Sequence, residues 1–180
     1  MAIILDTNCF SHVFNPQDKE HGSFSPVLNW IIYGNGFFVY GGTKYLNELK
    51  KCKRYHKIFR LLKDMNKVIH FKNKDKKIDE ITDKLNQQYG NEDFDDPHLP
   101  AIVLVTKCKL ICSTDVRSMP YVRNSKMYPK NFGVPMYYTC EKDQDLLIDK
   151  NIDKRLLRYR CSLNKEKKNK IEKVISPLEE

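Results

Sequence analysis

The chain predicts an α/β fold on a mainly parallel sheet, and three observations carry that prediction. Short unbroken apolar runs recur along the first 140 residues. Strands buried on both faces of a parallel sheet read in this way, without the alternation of a half-exposed strand. Segments with apolar residues at helical spacing separate the runs, and strict alternation of the two is the pattern of βαβ units. Several runs end in short polar or acidic residues, as strands do where they meet a loop at the sheet edge.

The elements follow in order. Ala2–Leu5 is the first strand, and Thr7 or Asn8 is placed to cap a helix running through Val13. A polar loop from Pro16 to Ser25 leads to a helix that Ser25-Pro26 should start, ended by Gly34-Asn35-Gly36. Phe37–Tyr40 is the second strand. Gly41-Gly42-Thr43 opens a helix with Tyr45, Leu46, Glu48 and Leu49, and helical spacing persists to Met65. Val68–Phe71 is the third strand, and Ile78, Ile81 and Leu85 mark a helix over Lys76–Tyr89. Asp95-Asp96-Pro97 puts acids and a proline where a helix begins, ahead of Leu99–Thr106. Leu110–Cys112 is the fourth strand, followed by Ser113-Thr114-Asp115, and Val134–Tyr138 is the fifth. Beyond Cys140 the pattern weakens into one or two basic amphipathic helices over Asn151–Lys173, with Leu156, Leu157 and Tyr159 as anchors. The expected division is a domain over residues 1–140 and a basic helical C-terminal extension over 141–180.

Composition narrows the function classes. At 180 residues and 41% hydrophobic the chain can bury a core, which excludes a wholly disordered protein. No apolar run approaches the roughly 18 residues needed to cross a bilayer, and Asp6 interrupts any leader-like start. The six cysteines have no zinc-knuckle spacing and several sit in apolar company, so reduced cytoplasmic thiols are expected. Net charge is +9, and it is segregated. Lys44–Lys77 holds 13 basic and 3 acidic residues, Ile78–Asp96 holds 1 and 7, and Lys150–Lys173 holds 10 and 3. Two basic stretches around an acidic one point to a polyanionic partner. Lys44, Lys50, Lys51, Lys53 and Arg54 are the candidates for contacts to a nucleic-acid backbone. With lysine outnumbering arginine 25 to 7, such contacts are point charges without sequence preference.

Ligands of open parallel sheets bind outside the C-terminal ends of the strands. Asp6 follows the first strand and Asp115 the fourth, while Glu48 and Asp96 are assigned to first turns of helices that follow loops. Any one of these acids reads most simply as a cap. Four converging carboxylates are costly alone and make sense around a hard divalent cation, Mg²⁺ or Mn²⁺. A cation so held activates water and stabilises a phosphoryl transition state. Asn8 and Ser113 are candidates to orient ligands or water from behind them. His12, His56, His70 and His98 lack metal spacing with cysteine, and His98 is expected on a helix surface or behind the ligands. Tyr121, Tyr128, Tyr137 and Tyr138 can stack on bases, although packing explains them more simply.

The order and context of these acids resemble the PIN-domain ribonucleases, including their toxin members. Ile3-Ile4-Leu5-Asp6-Thr7-Asn8 resembles the opening strand, first acid and following Asn. Glu48 within Thr43–Lys50 resembles the helix-borne acid, and Asp96-Pro97-His98 the third acid with its His-like neighbour. Leu110–Asp115 resembles the strand, hydroxyl residue and fourth acid, and Val134–Thr139 the last strand. The resemblance covers about residues 1–140. It implies an α/β/α sandwich and a metal-dependent hydrolase cleaving single-stranded or structured RNA, less often DNA, in toxin, defence or RNA-processing roles. Asp6, Glu48, Asp96 and Asp115 would be the catalytic, metal-binding set. It also leaves room for an inhibitory or complex-forming protein partner and for a homodimer. The chain departs from the pattern at Val116-Arg117-Ser118-Met119, where a fifth acid often sits, and in the crowding of Asp96 by Asp93 and Asp95. Two other classes remain. One is a PIN-like module that binds nucleic acid or protein without cleaving it. The other is a structure-specific DNA nuclease, which would want further acids and a helical arch.

Overall fold

The computed structural model describes residues 2–148 and 153–175. The chain runs β1 (Ala2–Leu5), α1 (Phe10–Phe14), α2 (His21–Tyr33), β2 (Phe37–Tyr40), α3 (Thr43–Lys51), α4 (His56–Asp64) and β3 (Val68–His70). It continues through α5 (Asp75–Tyr89), α6 (His98–Thr106), β4 (Leu110–Cys112), α7 (Met119–Val122), β5 (Met136–Tyr138) and α8 (Lys165–Ile175). The strands form one five-stranded parallel sheet in the order β3-β2-β1-β4-β5. Every residue of β1, β2 and β4 is buried, as the continuous apolar runs require.

Both faces of the sheet are covered. Phe38 and Tyr40 turn to one face and meet Phe14 of α1 and Phe59 of α4, while Phe37 turns to the other and meets Tyr159. The chain winds from β1 outward to β3, then crosses back over the sheet to β4 and on to β5. β1 therefore has neighbours reached in opposite directions. Ile4 and Leu5 pair with Ile111 and Cys112 on one side, and Ala2 and Ile3 with Phe37 and Phe38 on the other. The C-terminal ends of β1 and β4 flank the point where strand order reverses, the place where open parallel sheets leave a crevice.

Several boundaries differ from the sequence expectation. α2 begins at His21, not at Ser25-Pro26. Pro26 cannot donate to the Gly22 carbonyl one turn back, but the Ser25 hydroxyl does so at 3.2 Å, and the helix passes through the proline. The long helix expected from Thr43 to Met65 is broken at Cys52, with a single 3-10 turn over Lys53–Tyr55 before α4. Four cations crowd Lys50–Arg54. They repel one another inside a continuing helix, whereas Lys50 and Lys51 suit the negative end of one that stops. Neither Thr7 nor Asn8 caps a helix. The Asp6 carboxylate caps a 3-10 turn over Thr7–Cys9 instead. Strands three and five are each shorter than the apolar runs that announced them.

The basic tail packs on the domain. The helical stretch expected from Asn151 starts outside the described residues, and from Asp153 on a 3-10 segment over Lys154–Tyr159 precedes α8. Leu156, Leu163, Ile171 and Ile175 are buried in the same cluster as the strands. Leu156 serves as the expected anchor and Tyr159 packs partly, but Leu157 is 40% exposed. The tail is also tethered by Lys67, which is fully buried. Its ammonium donates to the carbonyls of Gly34 (3.0 Å), Gly36 (3.2 Å) and Cys161 (2.7 Å). A buried ammonium is tolerable only when its protons are all satisfied, as these are. All six cysteines are free thiols, and no helix among the described residues is long and apolar enough to cross a membrane.

Replacing Lys67 by Met strips three carbonyls, one of them buried and two partly so, of their donor. We expect Lys67→Met to lower unfolding free energy by about 2–4 kcal/mol in urea titrations, and to make the chain near Cys161 sensitive to protease. An unchanged urea midpoint would show that the clamp contributes nothing.

Candidate functional site

Asp6 directly follows β1 and is 4% exposed. Its amide donates to the Cys112 carbonyl at 2.9 Å, which carries the ladder one step past the strand and draws Asp6 beside Ser113. The buried Ser113 hydroxyl donates to Asp6 Oδ2 at 2.7 Å and accepts the Asp115 amide at 3.0 Å. One hydroxyl thus couples the first acid to the fourth. The Asn8 amide donates to Asp6 Oδ1 at 3.3 Å, but the Asn8 side chain is exposed and accepts from Cys9 Sγ. Its contribution to the site is a main-chain one.

Glu48 lies in the second turn of α3, not the first. What aims it is the anchoring of the helix start. The Gly42 amide donates to Asp75 Oδ1 (2.7 Å), and the Thr43 amide and hydroxyl donate to Asp79 (2.7 and 2.6 Å). Two carboxylates one turn apart on α5 therefore cap α3. Gly42 takes φ +84° and lies so near Ile78 that a Cβ would come within 2.6 Å of it, so no side chain fits there. One turn before Glu48, Tyr45 is buried and its hydroxyl donates to the Leu5 carbonyl at 2.5 Å, which ties α3 to the end of β1.

Asp96 precedes α6, and its oxygen atoms are the meeting point of the site. Glu48, Asp96 and His98 each offer a ligand atom within 4.8 Å of the others, and so do Asp95, Asp96 and Asp115. Asp96 belongs to both groups. Lys44, in the first turn of α3, reaches across to this loop, with Nζ 3.1 Å from Asp96 Oδ1 and donating also to the Asp95 carbonyl. It is therefore a partly exposed counter-ion to Asp96. Lys50, Lys51, Lys53 and Arg54 are exposed farther along α3 and the turn after it.

Of the two places the sequence allowed His98, the structure takes the one behind the acids. His98 is not on a helix surface; it is 1% exposed at the start of α6, with Nε2 3.5 Å from Glu48 Oε2 and Nδ1 3.6 Å from Asp96 Oδ1. Tyr137 on β5 is buried, and its hydroxyl, like both His98 nitrogens, has no hydrogen-bond partner among the described residues. Burial raises the Tyr137 phenol well above its usual range, with further contributions from Tyr128, Asp6, Asp115 and Asp96. Its proton stays on, an unused donor within the field of the acids. The signal available in the sequence was the His two residues after Asp96 and an aromatic on the strand beside Asp115. Neither reveals burial.

Burial pushes the Asp6 carboxyl up to about 6; the Ser113 hydrogen bond opposes this and the Asp96 charge reinforces it. Burial also raises Glu48, but His98, Lys44 and the Thr7 hydroxyl outweigh it and hold the carboxyl below its ordinary value. The donor set fits a divalent cation. It offers several carboxylates, a buried imidazole with unused nitrogens and a strained Asp6 charge that a cation would relieve.

Because the folded chain holds the Asp6 proton to about pH 6 against an ordinary 3.8, this group's contribution to stability is fully present below about pH 4. That contribution is lost as pH rises through 6. In chelator at pH 7.5, Asp6→Asn should raise the unfolding free energy by about 1–2 kcal/mol and flatten the loss of stability between about pH 4 and pH 7. A melting temperature lowered by the substitution at pH 7.5 would mean that the carboxylate is a structural cap. Comparison with family models, curated proteins and solved structures returned no match for this chain.

Proposed function

We propose that the chain is a divalent-metal-dependent nuclease of PIN-like architecture that hydrolyses phosphodiester bonds, with RNA as its substrate class. The observation that carries this reading is the meeting of two groups at Asp96, Glu48–Asp96–His98 and Asp95–Asp96–Asp115, with Asp6 linked to the Asp115 amide through the Ser113 hydroxyl, at the edge where strand order reverses. An all-parallel sheet in the order β3-β2-β1-β4-β5, covered on both faces, is consistent with the sandwich that the sequence resemblance implies.

Asp6, Glu48, Asp96 and Asp115 would hold Mg²⁺ or Mn²⁺. Bound there, the cation supplies Lewis acidity, makes water a stronger acid and offsets charge on a phosphoryl group. The chain's own residues do the rest. Ser113 keeps Asp6 oriented and ionised when its charge is needed, and the Asp115 amide fixes the Ser113 hydroxyl in turn. The exposed Lys50, Lys51, Lys53 and Arg54 begin two residues past Glu48, close enough to receive neighbouring phosphates of a bound strand.

The test is cleavage of mixed RNA and single-stranded DNA with Mg²⁺ or Mn²⁺ and with chelator. Cleavage should require the metal, favour RNA, and fall to background in Asp6→Asn and in Asp115→Asn. Retention of activity in both variants would remove these acids from the reaction.

A second reading, a binding module that needs no metal, is favoured by one observation: Lys44 already neutralises Asp96. Lys44→Met separates the two. If the acids hold a metal, losing the competing ammonium should tighten metal binding by about 2–5-fold, as expected for a partly exposed pair. If Lys44 is the permanent counter-ion, the variant should instead melt lower with or without added metal.

A further inference from the structure

His98 presents an unusual problem for a buried imidazole. It is 1% exposed, and neither ring nitrogen has a hydrogen-bond partner among the described residues. Leaving a buried polar atom unsatisfied costs about 1–3 kcal/mol, so histidines in such places normally find an acceptor. Here two acceptors are adjacent but too far away. Nε2 is 3.5 Å from Glu48 Oε2 and Nδ1 is 3.6 Å from Asp96 Oδ1, whereas charge-assisted N–H···O bonds run about 2.7–2.9 Å.

Either gap alone is, however, close to the spacing of two donors on one ion; they involve opposite ring nitrogens, only one of which an ion can take. With metal–ligand bonds of about 2.0–2.2 Å, adjacent donor atoms stand about 3.0–3.4 Å apart. One atom from each of Glu48, Asp96 and His98 lies within 4.8 Å of the other two. The ring is also held in place, edge-on to the buried Tyr45 at 6.2 Å between centroids, on the helix that Asp75 and Asp79 anchor.

We propose that His98 is a direct nitrogen ligand, making this a mixed nitrogen–oxygen site that selects Mn²⁺ over Mg²⁺. The inference rests on the metal-dependent reading above and goes beyond its all-carboxylate ligand set. Mg²⁺ demands oxygen donors and gives up its waters reluctantly, whereas imidazole suits first-row transition ions. Whichever ring nitrogen binds, the other is left facing a carboxylate oxygen, the kind of partner that fixes the orientation of a ligating imidazole.

The experiment uses the full chain stripped with chelator and titrated with MnCl₂ or MgCl₂ by calorimetry. Mn²⁺ should bind at least about tenfold more tightly than Mg²⁺. His98→Gln should weaken Mn²⁺ at least about tenfold and Mg²⁺ far less, which collapses the preference. Pulsed electron paramagnetic resonance of the Mn²⁺-loaded wild-type chain should show coupling to a directly bound nitrogen, a readout that does not depend on how the variant folds. Equal affinities for the two ions, an unchanged preference in His98→Gln, or a Mn²⁺ spectrum without nitrogen coupling would each overturn the proposal while leaving a carboxylate metal site standing. If neither ion binds the wild-type chain, the metal-dependent reading falls with it.

Discussion

The reversal of strand order about β1 is the constraint on which the rest of the molecule depends. A strand paired in parallel on both sides must be apolar throughout, and β1 is. The polar chemistry is therefore forced past its last residue, to Asp6. The backbone bond from Asp6 to Cys112 prolongs the pairing by one residue and sets the carboxylate beside Ser113. The crossover from β3 then returns the chain over the sheet and delivers α6, with Asp96 and His98 at its start, to the same edge. Topology concentrates the acids, and no local sequence rule could do so.

Concentrated acid on a protein of net charge +9 is a division of labour. Most lysines lie on the exposed surface, while Lys67 is buried among three carbonyls and the half-exposed Lys44 reaches Asp96. Acids divide too. Asp75 and Asp79 belong to the same acidic stretch of sequence as Asp95 and Asp96 or border it, yet they hold the amides of Gly42 and Thr43 and have a purely architectural role at α3. This cap aims Glu48 at the crevice. A loss of either architectural carboxylate would thus be felt at the site without any change among the residues that form it.

The strands were legible because full burial on both faces leaves an unbroken apolar run, a signal that does not need a partner to be read. Asp6 and Asp115 were legible for the same reason, since each follows such a run. The start of α2 was misread because a proline preceded by serine resembles a helix opening; only the fold shows the Ser25 hydroxyl taking over the missing donor's part. The burial of His98 was half legible, read as a helix surface or a place behind the ligands, and that of Tyr137 was read as packing, because burial itself is tertiary. Tyr45 and Glu48, some fifty residues earlier, close over His98, and nothing in Asp96-Pro97-His98 announces it. The division of the tail among anchors was half legible, as Leu156 and Leu157 are adjacent and only packing decides which faces inward.

The Lys67 clamp bears on how such a chain is made. All the acids of the crevice are in place by residue 115, but the third acceptor of the buried ammonium is the carbonyl of Cys161. A chain still being synthesised, or one broken off between those positions, holds the whole acid set yet leaves a buried cation short of a partner and the core without Leu163, Ile171 and Ile175. Such fragments are unstable in the way that cellular proteases recognise, through a larger unfolded population. Presence of residues 156–175 and durability of the acid cluster are thereby linked.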